Sequence, residues 1–487
     1  MNFDYSQFLS LRFEIGLTAI LVIAFFADIL SGKQRERRWF NPLICILMLV
    51  HLIANLWPTA DEVAFGGMYI TNPGISTVKT ILNLGTLIVL VQSREWLQRP
   101  DTRFKEGEFY MLTISTLLGM NMLVSANHFL LFYLALEMAG MPMACLVAFD
   151  KYRHNSAEAG AKFILTAVFA SAIMLYGISF VYGAVGTMYF DDISVQLTSS
   201  PLAMLGLAFF FCGLGFEISL VPFHFWTADT YQGAPTTVTG YMSVVSKGAS
   251  ASTLAAILIK VFAPMAMYWQ YLLCVVIVVT ITVANLFAIR QKDLKRFMAF
   301  SSISQAGYIM LATVGDNDMS MSSLAYYILI YVVANLAVFT IISAIEEHNN
   351  GATDMDDYNG LYKTNPRLTL VMTLALFSLG GIPPFAGMFS KFFVFMAALK
   401  GATLDNPLGI TTYITVFIAL INTVVSLYYY LLIVKAMYIK PNETPLPTFK
   451  SNIGTTIALA ICLVGILLFG ICSGVYDWVN CASTLPV

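Results

Sequence analysis

Apolar runs about 20 residues long recur from one end of this chain to the other, and each is long enough to cross a hydrocarbon core of roughly 30 Å as a helix. Fourteen such runs are read at about 11–31, 39–57, 75–93, 108–125, 128–148, 161–184, 202–222, 235–259, 267–289, 297–314, 322–344, 368–396, 410–435 and 452–475. Of the 487 residues 58% are hydrophobic and only 11% charged, against roughly 25% charged in an average soluble domain. Mean hydropathy is +0.76. The expected fold class is an all-α polytopic membrane protein of about 14 transmembrane helices, because a membrane barrel would show short alternating strands in place of continuous runs.

Basic residues favour the cytoplasmic side of a membrane. The loops after spans 1, 3, 5, 9, 11 and 13, among them GKQRERRWF, QSREWLQRPDTRFK and IRQKDLKR, hold 19 of the 26 Lys and Arg. Loops after even-numbered spans hold two, Lys260 and Lys400. This asymmetry predicts both termini on the outer side. The first span follows a polar start, MNFDYSQFLSLRFEIG, with no basic leader or small-residue cleavage site, and reads as a retained helix. The seven cysteines are scattered and form no CxxC or haem-attachment pattern, and the five histidines form no ligand cluster. No cofactor or metal site is therefore expected, and any redox step belongs to other subunits. Nothing in the composition suggests a nucleic-acid partner.

Two spans carry a proline in their interior, where the missing N–H and the ring clash interrupt a helix. Around Pro222 the chain reads ISLVPFHFW, and around Pro384 it reads GGIPPFAGMF followed by SKFFVF. Discontinuous helices at corresponding places in two halves point to an ion site between inverted repeats. Aligning the prolines sets spans 4–8 against spans 9–13, and an odd number of helices per repeat places the two halves in opposite orientations. The expected units are a three-helix segment at 1–104, five-helix repeats at 105–260 and 261–440, and a final helix at 441–487. Discontinuities are expected at spans 7 and 12.

An ionisable group at the centre of a membrane helix costs at least ~2.5 kcal/mol. Seven in or beside the runs are singled out: Lys79, Glu137, Glu158, Lys162, Glu217, Lys247 and Lys391. Lys79 lies early in its span and has the option of snorkelling to the headgroups. Glu158 and Lys162 are spaced i,i+4 as a surface pair would be. His51 and His128 read as hydrogen-bonded core or boundary residues. Glu137, Glu217, Lys247 and Lys391 lie too deep for these readings and are the candidates for proton transfer, since desolvation and neighbouring charges tune carboxylates and amines over several pKa units. The break at Pro222 is expected to admit water along His224, Thr227 and Asp229.

With those residues in hand, SLVPFHFWTADTYQGAP, FKEGEFYMLTISTLLGMNMLVSANHFLLFYLALEMAGMP, LKRFMAFSSISQAGY and SLGGIPPFAGMFSKFF closely resemble the antiporter-like membrane subunits of respiratory complex I, the proton-pumping NADH:quinone oxidoreductase. DTYQGAP is most similar to the N-type branch, and the chain stops about a dozen residues after span 14, without the long lateral helix of L-type subunits. The resemblance implies a non-redox translocase subunit in a bacterial inner membrane, partnered by M-type and small K- and J-type membrane subunits. It implies a proton path through Glu137, Lys247 and Lys391, with Lys162, His224, Asp229, Pro222 and Pro384 in support. Glu217 departs from the family pattern, which has lysine there, and is expected to share a proton with Glu137 and to pair with Lys247 unless Lys162 reaches in. Mrp-type or self-standing Na⁺(K⁺)/H⁺ antiporters share the pattern and are the alternative, with a passive membrane-arm scaffold as the third reading.

Overall fold

The computed structural model describes residues 7–31, 37–57, 59–150, 153–349, 351, 353–442, 446–472 and 474–483. The basic residues Lys33, Arg35 and Lys151 that enter the topology argument lie outside the described residues, as does the side chain of Cys481.

The apolar runs form α1 (Arg12–Ser31), α2 (Phe40–Ala54), α3 (Pro73–Gln92), α4 (Glu106–Val124), α5 (Phe129–Val147), α6 (His154–Val185), α7 (Pro201–Ile218), α8 (Phe225–Gly233) and α9 (Thr236–Lys260). They continue as α10 (Ala266–Ala288), α11 (Leu294–Val314), α12 (Asp318–His348), α13 (Pro366–Gly380), α14 (Ala386–Leu399), α15 (Pro407–Tyr438), α16 (Ile453–Ile471) and α17 (Gly474–Ser483). Among the described residues, eleven helices are long and apolar enough to cross a membrane, and α2, α13 and α14 are shorter apolar helices. A short antiparallel hairpin, β1 (Glu62–Ala64) with β2 (Tyr69–Thr71), joins α2 to α3.

Burial separates central from peripheral helices. The most apolar window of α11 is 100% buried and that of α12 94%, against 28% in α6 and 39% in α15. Helix α12 is the hub and packs on α3, α9, α11, α13, α14 and α16. Its burial explains how it keeps Tyr327, Tyr331, Asn335 and Thr340 inside a membrane bundle, because their polar ends face protein and not lipid.

Both expected discontinuities are present and share one plan. Helix α7 ends where Ser219 turns left-handed (φ 68°) and Leu220 N donates to Gly215 O at 2.8 Å. Helix α13 ends where Gly381 turns left-handed (φ 86°) and Ile382 N donates to Phe377 O at 3.0 Å. Each is a Schellman closure, which caps carbonyls that would otherwise be orphaned. In each a proline follows three residues after the left-handed residue, Pro222 and Pro384. Run 368–396, expected as one span, is thus two helices.

Helices α6 and α7 approach closely at glycine. A Cβ on Gly177 would lie 2.6 Å from Phe210 N, and one on Gly213 2.3 Å from Met174 Cβ. Small residues at such crossings allow the close packing that holds membrane helices together. Gly177→Ala is expected to destabilise the bundle by about 1–3 kcal/mol through overpacking, read as a lower Tm in detergent. Gly183→Ala, whose Cβ would meet only Leu202 Cδ2 at 3.6 Å, is expected to leave Tm unchanged or raised.

Candidate functional site

The side chains that matter enter the interior from eight helices. Glu217 sits in the last turn of α7, beside the break. Its remaining accessible surface faces a cavity lined by Met120, Leu136, Phe163, Glu217, Ser246 and Ser250, among others. Glu137, half-buried on α5, is its electrostatic neighbour. Tyr133, one turn before Glu137, is a polar neighbour of that carboxylate.

Lys247 is 2% exposed and begins the straight part of α9 immediately after a π-helical turn at Met242–Ser246. Such turns interrupt the regular ladder and recur at functional positions. Its Nζ donates to Ser302 Oγ at 2.9 Å and lies 5.2 Å from the centre of the Tyr231 ring. The expected pairing of Glu217 with Lys247 is therefore corrected: among the described residues Lys247 makes no ion pair, and its hydrogen bond goes to a hydroxyl on α11. Lys162 does not reach in either. It is exposed on α6, bonded to Glu158 at 2.8 Å and to Asp229 at 2.8 Å.

Asp229 also departs from its expected place. It lies outside the bundle interior, held between Lys162 and Arg296, whose Nη1 donates at 2.6 Å. His224 and Thr227 are buried, and His224 Nδ1, Thr227 Oγ1 and Ser219 Oγ have no protein partner among the described residues. Buried polar atoms of this kind are ordinarily satisfied by internal water.

Lys391 is 6% exposed on α14 and folds back onto the preceding break. Its Nζ donates to Gly380 O at 3.1 Å and lies 5.0 Å from the Tyr308 ring centre. The carbonyls at the end of α13 provide the negative pole of a helix for an ammonium. Gln305 uses the same helix end, with Nε2 donating to Leu379 O at 3.2 Å. A second cavity adjoins Lys391 and is lined by Gln305, Tyr327, Tyr331, Ser378 and Ser390.

Between the two lysines runs a line of hydroxyl and amide groups that sequence reasoning missed. The Tyr331 hydroxyl lies beside Ser302 without completing a hydrogen bond to a described group. Tyr231 reaches the same Ser302 at 3.5 Å. Tyr327 donates to Gln305 Oε1, and Gln305 Nε2 to the Tyr430 hydroxyl at 3.2 Å. The available signal was the polar cluster SSISQ inside span 10, which no membrane-spanning helix carries without a reason. Pro222 and Pro384 themselves are exposed at the two breaks.

The other sequence candidates resolve structurally. Lys79 does not snorkel: it is fully buried and paired with Glu14, Nζ to Oε1 2.6 Å. His51 is buried beside Asn55 at 3.2 Å, and His128 caps α5 by accepting from Leu130 N at 3.1 Å. Among the described residues no group of three or more His, Cys, Asp or Glu is arranged to hold a metal ion.

Comparison with known proteins places the chain that carries these groups in a family. Residues 126–419 match the family model described as NADH:quinone oxidoreductase/Mrp antiporter, transmembrane. The chain belongs to this family. NADH-quinone oxidoreductase subunit N of Phocaeicola vulgatus is 58% identical over 483 residues, covering 99% of this chain and 100% of the relative. A chain of respiratory complex I from Thermus thermophilus has a TM-score of 0.78 at 30% identity, covering 96% of this chain and 98% of that one. A chain of the Mrp complex of Dietzia shares the fold, with a TM-score of 0.82 at 17% identity over 98% and 97% of the two chains. The family relationship spans the whole of the site, from Glu137 to Lys391.

Among the described residues Ser302 is the one hydrogen-bond acceptor of the Lys247 ammonium. Hydrogen bonds to charged groups contribute about 1.5–3 kcal/mol, so Ser302→Ala is expected to lower Tm in detergent by a few degrees. Ser302→Thr, which keeps the hydroxyl, is expected to restore it.

Proposed function

We infer that this chain is the N-type antiporter-like subunit of a proton-translocating NADH:quinone oxidoreductase, and that it moves protons along the buried line Glu137, Glu217, Lys247 and Lys391. One observation carries the reading. Two lysines without ion-pair partners among the described residues, at 2% and 6% exposure, have hydroxyl and amide groups between them and a cavity at Lys391, within a bundle that otherwise pairs its deepest charge. A purely structural lysine gains most from a fixed carboxylate; an amine that has only a hydroxyl or a carbonyl is suited to giving up its proton.

The steps follow from the groups present. Glu137 and Glu217 face each other in a water-poor site, where two negative charges side by side are unfavourable, so a single proton is shared between them. The cavity between Glu217 and the Ser246–Ser250 turn has room for water to carry that proton toward Lys247. Lys247 passes a proton by way of Ser302 and Tyr331 to the cavity at Lys391, each oxygen releasing one proton as it takes up another. Loading or unloading the line requires an external charge shift. Moving one charge against 100 mV costs ~2.3 kcal/mol, less than two pKa units at 1.36 kcal/mol each. A change of one neighbouring charge is therefore enough.

On this reading spans 4–8 and 9–13 are inverted repeats, each broken at its proline. The subunit holds no redox centre and sits beside M-type and small K- and J-type subunits in a bacterial inner membrane, both termini outward. The Lys162–Asp229–Arg296 network is a supporting surface group.

Replacing Lys391 with Ala is expected to abolish proton movement through this subunit while the complex assembles and still reduces quinone, measured with a pH-sensitive dye in proteoliposomes. Normal pumping would favour the scaffold reading, and lost assembly a structural lysine. Glu217→Gln is expected to slow pumping, whereas Glu217→Lys, which restores the family residue, keeps it. If both pump normally, Glu217 is off the path. Co-purification with iron–sulfur subunits separates this reading from the Mrp-type antiporter.

A further inference from the structure

A second set of buried polar groups lies apart from that line, in the seam where α3 packs against α4. Along α3 the side chains of Ser76, Lys79, Asn83 and Thr86 fall on one stripe, spaced three or four residues apart, and all are at most 1% exposed. Facing them, α4 and the residue after it carry Glu106, Tyr110, Thr113, Thr116, Asn121 and Ser125, all at most 4% exposed. From Glu106 to Ser125 is roughly 28 Å at 1.5 Å per residue, close to the thickness of a hydrocarbon core, roughly 30 Å.

The two stripes are tied at three levels. At one end Lys79 Nζ donates to Glu14 Oε1 at 2.6 Å and to the Tyr69 hydroxyl at 2.8 Å, and Tyr69 donates to Glu14 Oε2 at 3.0 Å. Strand β2 brings Tyr69 there, anchored to α4 by Ile70 N donating to Ser125 O at 3.0 Å. In the middle the Tyr241 hydroxyl meets Thr116 Oγ1 at 2.7 Å, lies beside Thr86 and donates to Thr113 O at 3.2 Å. At the other end Asn41 Nδ2 donates to Leu90 O and to the Tyr110 hydroxyl, both at 2.9 Å, and Tyr110 donates to Glu106 Oε1 at 2.8 Å.

Between these ties lie atoms with no protein partner among the described residues: Asn83 Oδ1, both side-chain heteroatoms of Asn121, Ser125 Oγ and Thr113 Oγ1. Leaving one such atom buried and unsatisfied costs about 1–3 kcal/mol. Five in one seam of a membrane protein is an expensive arrangement unless water occupies it.

We propose that this seam is a second, hydrated proton route across the subunit, running from Glu106 to the Glu14–Lys79–Tyr69 cluster and independent of the Lys247–Lys391 line. A proton arriving from Glu106 passes along the hydroxyls and waters, each oxygen releasing one proton as it accepts another. At the far end the Glu14 carboxylate takes up a proton and the Lys79 ammonium releases one outward, which turns an ion pair into a neutral pair with no net charge left behind. Proton return from Glu14 to Lys79 resets the pair. Because the ion pair is the resting state, the route is closed until that exchange occurs.

The proposal rests on the chain being a proton translocator, so both routes are tested side by side in the assembled complex in proteoliposomes. Asn121→Leu removes both unpartnered atoms at little change in volume and is expected to lower proton movement per quinone reduced, while quinone reduction in the presence of an uncoupler persists. Glu106→Gln is expected to do the same. Unchanged pumping in both variants, alongside loss in Lys391→Ala, overturns the second route and leaves the principal one standing. Unchanged pumping in Lys391→Ala overturns the principal reading instead. Should the variants fail to assemble, hydroxyl-radical footprinting of the native complex decides: Tyr241 is expected to label through adjacent water while the fully buried Trp269 does not. An unlabelled Tyr241 overturns the hydrated seam.

Discussion

A charge or hydrogen-bonding group placed among lipid-like side chains has to find its partners inside the protein, and the arrangement of this bundle follows from how each buried amine meets that demand. An ammonium offers three donors. Lys79 directs its donors to a carboxylate and a phenol, a nearly complete shell. Lys247 has a single hydroxyl and Lys391 a single carbonyl as hydrogen-bond partners among the described residues, with an aromatic ring beside each. The three share burial and chemistry of stem, yet differ in how fully the ammonium is hydrogen-bonded. The least provided amines are the ones adjoining cavities, hydroxyls and broken helix ends, where a departing proton has somewhere to go.

The breaks supply what an unbroken helix lacks. A regular α-helix satisfies its own carbonyls and offers nothing to a side chain. At Gly380 the ladder stops, and Lys391 and Gln305 both lean on the freed helix end. At Ser219 the break leaves the buried His224 Nδ1, Thr227 Oγ1 and Ser219 Oγ without protein partners among the described residues, with His224 near Lys247. The two ends solve one problem differently: the α13 end binds an amine directly, while the α7 end opens a polar pocket beside one. Closure by the Schellman pattern in both cases keeps the remaining backbone satisfied, so the interruption is confined to a few residues.

The helices and both breaks were legible in the sequence, because apolar runs of spanning length and interior prolines are local signals that burial reinforces. Depth was legible too: Glu217, Lys247 and Lys391 were placed in the interior by their distance from the run ends, and the structure encloses them. Partnership was not. The charges of Glu217 and Lys247 invite a salt bridge, but only the rotation of α9 after its π-helical turn decides that the amine meets Ser302. Asp229 sits in a polar motif next to the break and reads as part of it, yet its helix face turns it outward to Lys162 and Arg296. Glu14 escaped attention because it follows Arg12 in a polar opening stretch that reads as extramembrane, and nothing local announces that a hairpin 50 residues on will seat Tyr69 against it. Each failure concerns which face of a helix a residue occupies relative to a distant one, and a single chain carries no such long-range signal.

Glu217 is where these considerations meet. A lysine at that position would face Glu137 as an ion pair and would hold its proton, as Lys79 does opposite Glu14. A glutamate facing another glutamate leaves one proton for two carboxylates, and the shared proton is bound by repulsion between the alternatives and not by a fixed counter-charge. On the proposed route the pair shares one proton and responds to an approaching cation, including one on a neighbouring chain that reaches the half-buried Glu137. Coupling on this proposed route needs no large motion at the carboxylates: altering the field at Glu137 would shift the proton toward Glu217, whose cavity is also lined by Ser246 and Ser250, on the side of Lys247.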